Sequence, residues 1–277
     1  MRLVRTARTR IQDDSVFAPA YVEGPIHTRG RSAEGLTATN ASIAPRVVVE
    51  NYGSQAEQRV RVLFQVLAAD GQGAVVESSE TVTSSISRGG SQTLAAAPIR
   101  IPDAELWSVP RPYLYRLVTT VIDDQSGRVL DVVNSSIGVR SVRFDAEQGL
   151  FLNEQHVKIR GFCNHNSFTG VGMGVPLRIN LFRMQQLRGL GANSWRMSHS
   201  TLISTQFLLA QLRAASPSDT MFETGPGLVG VARTDPGTPS LYSLADRLGV
   251  TILNENRVHS ETNDLPGPDL TDLQVRN

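Results

Sequence analysis

The stretch Arg59-Val-Arg-Val-Leu-Phe-Gln-Val66 alternates apolar with mostly polar side chains, and this alternation decides how the first half of the chain folds. A period of two sends successive side chains to opposite faces of a strand, so one face of this stretch is expected to be buried. Similar runs, each ended by turn residues, surround it at residues 46–53, 81–86, 113–122 and 129–133. Short strands at this spacing, with no helical period between them, predict an antiparallel β-sandwich.

Residues 1–30 show no period, and we expect them to form an irregular N-terminal tail. Four arginines precede the first acidic residue, but no apolar segment follows them as it would in a secretory signal. This pattern predicts a cytoplasmic protein.

Beyond residue 140 the pattern changes to alternating strand-like and helix-like segments. Residues 157–159, 192–197 and 250–253 are predicted strands. An apolar stripe at steps of three and four predicts a helix that begins at Pro176 and ends at Gly191. The stripe comprises Leu177, Leu181, Met184, Leu187 and Leu190.

A second helix is predicted over residues 241–248. The resulting order of strand, helix, strand, helix, strand indicates a parallel sheet.

Composition excludes several classes of function for these 277 residues. Lys and Arg total 27 and Asp and Glu total 26, so the formal net charge is +1 and a nucleic-acid partner is not expected. No run of 18 apolar residues is present, so no membrane partner is predicted either. The single cysteine, Cys163, excludes a disulfide scaffold and is expected to be a buried packing residue.

Several motifs follow one another in a characteristic order. They are Leu106-Trp-Ser-Val-Pro-Arg-Pro-Tyr-Leu-Tyr115, Gly138-Val-Arg-Ser-Val-Arg-Phe144, Gly149-Leu-Phe-Leu-Asn153, Lys158-Ile-Arg-Gly-Phe-Cys-Asn-His165, Gly191-Ala-Asn-Ser-Trp-Arg-Met-Ser-His199 and Asp246-Arg-Leu-Gly-Val-Thr-Ile-Leu253. In this order they resemble glycoside hydrolase family 2, the group of β-galactosidases, β-glucuronidases and β-mannosidases. The Asn-His pair followed by a Gly-rich loop is most similar to β-galactosidases.

The resemblance covers residues 45–255 and implies a fold in two parts. An immunoglobulin-like β-sandwich over residues 31–143 would be followed by the N-terminal part of a TIM-barrel catalytic domain over residues 144–277. Because a full (β/α)8 barrel takes about 250 residues, this second part is expected to be an incomplete barrel.

The resemblance implies retaining hydrolysis of terminal β-galactosides, with glucuronides and mannosides as alternatives. The family's acid/base and nucleophile glutamates belong to later barrel strands and lie beyond the C-terminus of this sequence. No catalytic residue is therefore assigned, and the chain by itself is expected to be inactive. The alternative is a non-catalytic relic that binds carbohydrate or another subunit; the oligomeric state stays open.

By the same resemblance, His165, His199 and Asn164 are expected to bind substrate. The two histidines end predicted parallel strands, and an imidazole can donate a hydrogen bond to one sugar hydroxyl and accept one from another. Arg196 would stand beside the nucleophile and Glu255 would be a supporting carboxylate on the third strand. No cofactor and no metal site is predicted, because the Mg²⁺ found in some family members lacks counterpart acids here.

The segment at about 201–236 interrupts the resemblance while the motifs on both sides of it persist. It is interpreted as an insertion, with two alternatives. It is either a substrate loop at the rim of the barrel or sequence added by a retained intron or a gene-model error.

Overall fold

The structure is a computed structural model, and it describes most of the chain in eight stretches. These are residues 6–13, 15–28, 35–68, 75–80, 83–165, 167–172, 175–198 and 241–253. The predicted insertion at 201–236 lies outside the described residues.

Eleven strands precede residue 140 within the described stretches. They are β1 (Thr9–Ile11), β2 (Ala20–Thr28), β3 (Leu36–Ile43), β4 (Arg46–Asn51), β5 (Glu57–Leu67), β6 (Val75–Glu80), β7 (Ser84–Ser87), β8 (Ser91–Ala95), β9 (Ile99–Glu105), β10 (Tyr115–Asp123) and β11 (Val129–Ile137). They pair antiparallel in three sheets, ordered β1-β4-β8, β2-β3-β9 and β11-β10-β5-β6, with β7 also beside β5. The three sheets enclose one hydrophobic core, which makes this part a β-sandwich.

The alternation predicted for residues 59–66 is confirmed in β5. Val60, Val62, Phe64 and Val66 are completely buried, and each is a member of the sandwich core. The predicted strands at 113–122 and 129–133 are also present, as β10 and β11, and they pair antiparallel in a hairpin. Its turn is held by Asp123, whose carboxylate accepts hydrogen bonds from the backbone N–H groups of Gln125 and Ser126 at 2.9 and 3.1 Å. These backbone hydrogen bonds lower the pKa of Asp123.

The structure differs from the irregular N-terminal tail expected over residues 1–30. β1 pairs with β4, and β2 pairs with β3 through a bulge between Glu23 and Ile26. Ile11 and Val16 are buried in the sandwich core, together with Ala18 and Ala20. The sequence pattern missed these strands because β1 is only three residues long and the bulge breaks the period of β2.

A short antiparallel sheet connects the sandwich to the rest of the chain. It consists of β12 (Val142–Asp145), β13 (Gly149–Leu152) and β14 (Gln155–His156). The turn between β12 and β13 is held by Asp145, whose carboxylate accepts from the N–H groups of Glu147 and Gln148 at 2.9 Å each.

A parallel sheet follows, as predicted. Its strands β15 (Gly161–His165), β16 (Ser194–Ser198) and β17 (Thr251–Leu253) lie in this order, and they alternate with helices α1 (Leu177–Gly189) and α2 (Leu241–Leu248). We call these five elements the β/α unit. Its core comprises Met184, Trp195, Met197, Leu241, Leu244, Ala245 and Val250. The described residues contain three parallel strands and two helices, and a closed barrel is not seen in them.

Three details of this unit differ from the sequence prediction. Residues 157–159 are not a strand, and the first parallel strand, β15, begins at Gly161 instead. At Gly161 the backbone of Ser194 on the neighbouring strand comes too close to leave room for a side chain. Pro176 is extended and precedes the first helical residue. Leu190 follows the end of α1 and is 75% exposed, so it does not extend the buried stripe.

The sandwich and the β/α unit meet at a joint formed by Trp107, Arg140, Arg188, Asp246 and Gly249. The indole Nε1–H of Trp107 donates to the backbone carbonyl of Asp246 at 2.7 Å, and the Arg140 guanidinium stacks 4.8 Å from the indole ring. Arg188 donates to the backbone carbonyls of Val109, Leu248 and Gly249, so it ties the sandwich to the end of α2.

The joint also contains a buried carboxylate, that of Asp246, and a buried guanidinium, that of Arg140. Burial raises the pKa of Asp246 to about 6, and the neighbouring Arg140 opposes this rise. Burial likewise lowers the pKa of Arg140, and Asp246 opposes that change.

Candidate functional site

Four side chains lie together near the carboxyl ends of β15 and β16. In the parallel register Cys163 is opposite Arg196 and His165 is opposite Ser198. Because successive side chains of a strand point to opposite faces, these four share one face of the sheet. We call this set the polar face.

Direct contacts connect the members of the polar face. Arg196 Nη1 lies 2.8 Å from the sulfur of Cys163 and donates to the hydroxyl oxygen of Ser198 at 3.2 Å. The same sulfur contacts the Ser198 hydroxyl and lies 3.9 Å from His165 Nε2. Ser198 is fully buried, whereas the other three are exposed. The arrangement presents an imidazole, a guanidinium and a thiol to solvent.

The expectation that Cys163 is a buried packing residue is wrong. Its sulfur is exposed on the polar face, because the core of the β/α unit lies on the other face of the sheet, under Trp195 and Met197. The strand position alone did not reveal which face the helices cover.

Asn164 is not on the polar face, although it was predicted to bind substrate with His165. Adjacent residues of a strand point in opposite directions, so Asn164 turns toward helix α1 and is buried. Its amide Nδ2 donates to the Phe162 carbonyl at 2.8 Å, and its Oδ1 accepts from Arg183 at 3.3 Å. In this structure Asn164 fixes the strand and is turned away from His165.

Arg183 contacts the end of β15 and is not among the residues predicted from the sequence. It reaches from α1 to the backbone carbonyl of His165 at 3.4 Å and stacks on Trp195, with its guanidinium 5.1 Å from the ring. Partial burial lowers the pKa of Arg183. In the sequence, Arg183 is marked only by its position next to Met184, at the edge of the apolar stripe of α1.

Two predicted site residues, His199 and Glu255, lie outside the described residues. Arg196 is on the polar face, as its position in the second parallel strand predicted, and its proposed acidic partner is not tested.

The described residues of the polar face do not suit Mg²⁺, which prefers oxygen ligands. They offer a thiol, an imidazole, a guanidinium and one hydroxyl. Across the described stretches no group of three or more His, Cys, Asp or Glu could hold a metal ion. In the same stretches, none of the helices has the length and apolar character needed to cross a membrane.

Comparison with known proteins gives a consistent group of relatives. Residues 33–140 match the family model described as glycosyl hydrolases family 2. The β-galactosidase BoGH2A of Bacteroides ovatus is 26% identical over 238 residues, which are 84% of this chain and 23% of that protein. A β-glucuronidase of Formosa agariphila is 24% identical over 169 residues, which are 60% of this chain and 16% of that protein.

Solved structures show the same fold. A β-glucuronidase of Bacteroides uniformis superimposes with a TM-score of 0.68 at 20% identity, covering 98% of this chain and 27% of that one. The Bifidobacterium dentium β-glucuronidase complexed with coumarin-3-O-glucuronide gives a TM-score of 0.58 at 25% identity, covering 90% of this chain and 31% of that one. The chain thus spans less than a third of the length of each of these relatives.

Proposed function

We propose that this chain, which belongs to glycosyl hydrolase family 2, contributes the carbohydrate-binding edge of a retaining β-galactosidase-type glycosidase. The observation that carries the proposal is the polar face, which stands at the carboxyl ends of two parallel strands next to a family 2 sandwich. Enzymes built on parallel β/α barrels place their chemistry at this end of the strands. On this proposal the β/α unit is the opening of such a barrel.

Two exposed members of the polar face, His165 and Arg196, have a chemical role in this proposal, and Arg183 supports one of them. His165 donates a hydrogen bond to one sugar hydroxyl and accepts one from a second, which fixes the orientation of the ring. Arg196 supplies positive charge that keeps a nearby carboxylate ionised. Arg183 holds the end of β15, and therefore His165, through the His165 backbone carbonyl.

The choice of sugar rests on the extent of similarity. The B. ovatus protein, named a β-galactosidase, is matched over 84% of this chain, and the F. agariphila β-glucuronidase over 60%. This difference favours a terminal β-galactoside as the substrate and leaves a β-glucuronide as the next candidate.

A non-catalytic carbohydrate-binding protein is the second candidate function. The observation that favours it is the scarcity of carboxylates: among the described residues of the β/α unit, Asp246 is the one acidic side chain, and it lies at the joint. Retaining glycosidases need two carboxylates about 5–5.5 Å apart. On either candidate the chain binds a sugar, and the two differ in whether hydrolysis follows.

The test is sugar binding by the 277-residue chain, measured by saturation-transfer NMR. The ligands are methyl β-galactoside, methyl β-glucuronide, methyl β-mannoside and methyl α-galactoside. We expect the strongest transfer to the β-galactoside and weaker transfer to its α-anomer. Equal signals from both anomers, or none from any of the four, would contradict the proposal.

A further inference from the structure

A short turn that follows the carboxyl end of β15 exposes two apolar side chains. Phe168 and Val171 come shortly after His165, the last residue of β15, and they are 36% and 42% exposed. Neither belongs to the core of the β/α unit. Apolar groups that stand in solvent at the edge of a binding site favour a ligand whose apolar part covers them.

The turn holds both side chains in a fixed position. The backbone N–H groups of Phe168 and Gly172 each donate to the other residue's carbonyl at 3.0 Å, and that of Val171 donates to the Phe168 carbonyl at 3.2 Å. Gly170 and Gly172 have φ of +85° and +60°, and among the described residues a Cβ at either would meet nothing within 4 Å. Because the backbone is already closed, a ligand that contacts this turn loses little affinity to the ordering of the protein.

Arg183 connects the turn to the residue proposed to bind sugar. Its guanidinium lies 5.8 Å from the centre of the Phe168 ring, and its Nη1 and Nη2 donate to the backbone carbonyl of His165 at 3.4 and 3.5 Å. The ring and the end of β15 are therefore both in contact with one guanidinium group. The guanidinium covers part of the ring, and the rest stays accessible to a ligand.

The chemistry of the two exposed side chains selects the part of a ligand that they bind. A sugar ring presents hydroxyl groups, which need hydrogen-bond partners, and the side chains of Phe168 and Val171 supply none. An aromatic ring packs on Phe168 in an offset or edge-to-face arrangement, and contact with Val171 removes further apolar area from water. An aromatic group attached to a sugar satisfies this chemistry while the sugar itself stays at the polar face.

We propose that Phe168 and Val171 form a binding site for the aromatic aglycone of a β-galactoside. The inference rests on the proposed function, because the polar face holds the sugar half of the same ligand. It narrows the substrate class to galactosides whose second group is aromatic, and it predicts lower affinity for those whose second group is small.

The experiment measures the dissociation constants of methyl β-galactoside and phenyl β-galactoside with the 277-residue chain by NMR titration. We expect wild type to bind the phenyl compound about three- to tenfold more tightly than the methyl compound, which is the range that one aromatic contact provides. In Phe168→Ala the preference should fall below about twofold, because the ring contact is lost. Affinity for the methyl compound should stay unchanged in this variant.

Two further variants keep the result interpretable. Phe182→Ala is the matched control, because Phe182 lies on α1 of the same unit and is 55% exposed. Non-specific association of the phenyl group with exposed apolar surface would weaken in Phe182→Ala as well, whereas the proposed site predicts no change there. Phe168→Trp retains an aromatic ring and should keep the preference, which guards against a folding defect in Phe168→Ala.

The outcomes separate this inference from the proposed function. Binding of both compounds with equal affinity would overturn the inference and leave the proposed function intact. Binding of the phenyl compound through Phe168, without any binding of the methyl compound, would support the aromatic site and contradict the sugar specificity of the proposed function. An equal loss of preference in Phe168→Ala and Phe182→Ala, or no binding of either compound, would overturn the inference.

Discussion

Gly249 is the residue on which the joint between the sandwich and the β/α unit depends most closely. It has φ of +64°, and a side chain there would collide with the Val109 carbonyl and stand 2.7 Å from Arg188 Nη1. Gly191 ends the other helix with a similar φ of +85°, yet a side chain there would meet nothing within 4 Å. The two positions share backbone conformation and differ in the space around them.

We expect Gly249→Ala to lower the free energy of unfolding by about 3–5 kcal/mol, because it adds a clash to an unfavourable φ. Gly191→Ala is the matched control and should lower it by about 1–2 kcal/mol, the effect of backbone conformation alone. Urea unfolding followed by circular dichroism measures both. Equal losses in the two variants would show that the contact with Val109 is unimportant.

Asp246 makes the stability of the joint depend on pH. Its pKa is about 6 in the folded chain and 3.8 ordinarily, so between these values the folded chain binds more protons than the unfolded chain. Stability contributed by this group therefore falls as pH rises from about 4 to 6 and is constant above about 7.

We predict that Asp246→Asn becomes more stable relative to wild type by on the order of 1–3 kcal/mol when the pH is raised from 4.5 to 7.5. Thermal unfolding of both proteins at the two pH values measures this difference. Asp145→Asn is the control, because backbone hydrogen bonds lower the pKa of Asp145 and it stays ionised throughout this range. A relative stability of Asp246→Asn that does not change with pH would argue against a raised pKa.

The sequence predicted correctly that His165 ends the first parallel strand and that Arg196 belongs to the second, because the motifs around them place both strands. It could not assign the faces of β15, since that requires knowing where the strand begins and which side the helices cover. Asn164 and His165 are neighbours in one strand, so a period of two already argues against a shared site. The joint was not predicted, because the contact of Trp107 with Asp246 spans 139 residues.

Among the secondary-structure elements, β1 and β2 differ most from the prediction, because they extend the sandwich to the N-terminal side of its predicted start at residue 31. β1 pairs with β4, and the backbone N–H of Ile11 donates a hydrogen bond to the carboxylate of Asp131 in β11 at 2.9 Å. The long alternating strand β5 and the hairpin β10–β11 were predictable because regular strands carry a period. β1 and β2 were not, since a three-residue strand and a bulged strand carry almost none.

We predict that a polypeptide of residues 6–143 unfolds cooperatively, whereas one of residues 31–143 is strongly destabilised. The shorter polypeptide loses the buried side chains of Ile11 and Val16, worth about 3–6 kcal/mol together, which is a large share of a domain's stability. Thermal unfolding followed by circular dichroism compares them. Equal unfolding temperatures would mean that β1 and β2 are peripheral.

At the scale of the whole molecule, a β-sandwich is joined to a β/α unit in whose described residues Asp246 is the one carboxylate. We therefore expect the 277-residue chain to leave a chromogenic β-galactoside unhydrolysed, since a retaining glycosidase requires both an acid/base and a nucleophile. Heat-inactivated chain is the control. Turnover well above that control, retained after repurification, would show that a catalytic pair exists within these residues.

The proposed function requires that the polar face bind a glycoside through His165. Titration of the 277-residue chain with methyl β-galactoside, followed by NMR, tests it most directly when wild type is compared with His165→Ala and His27→Ala. His27 is an exposed strand histidine of the sandwich, with Nε2 3.1 Å from Thr39 Oγ1, and serves as the matched control. We expect binding to be at least about fivefold weaker in His165→Ala, from the loss of hydrogen bonds worth about 1 kcal/mol, and unchanged in His27→Ala. Equal affinities for wild type and His165→Ala would contradict it.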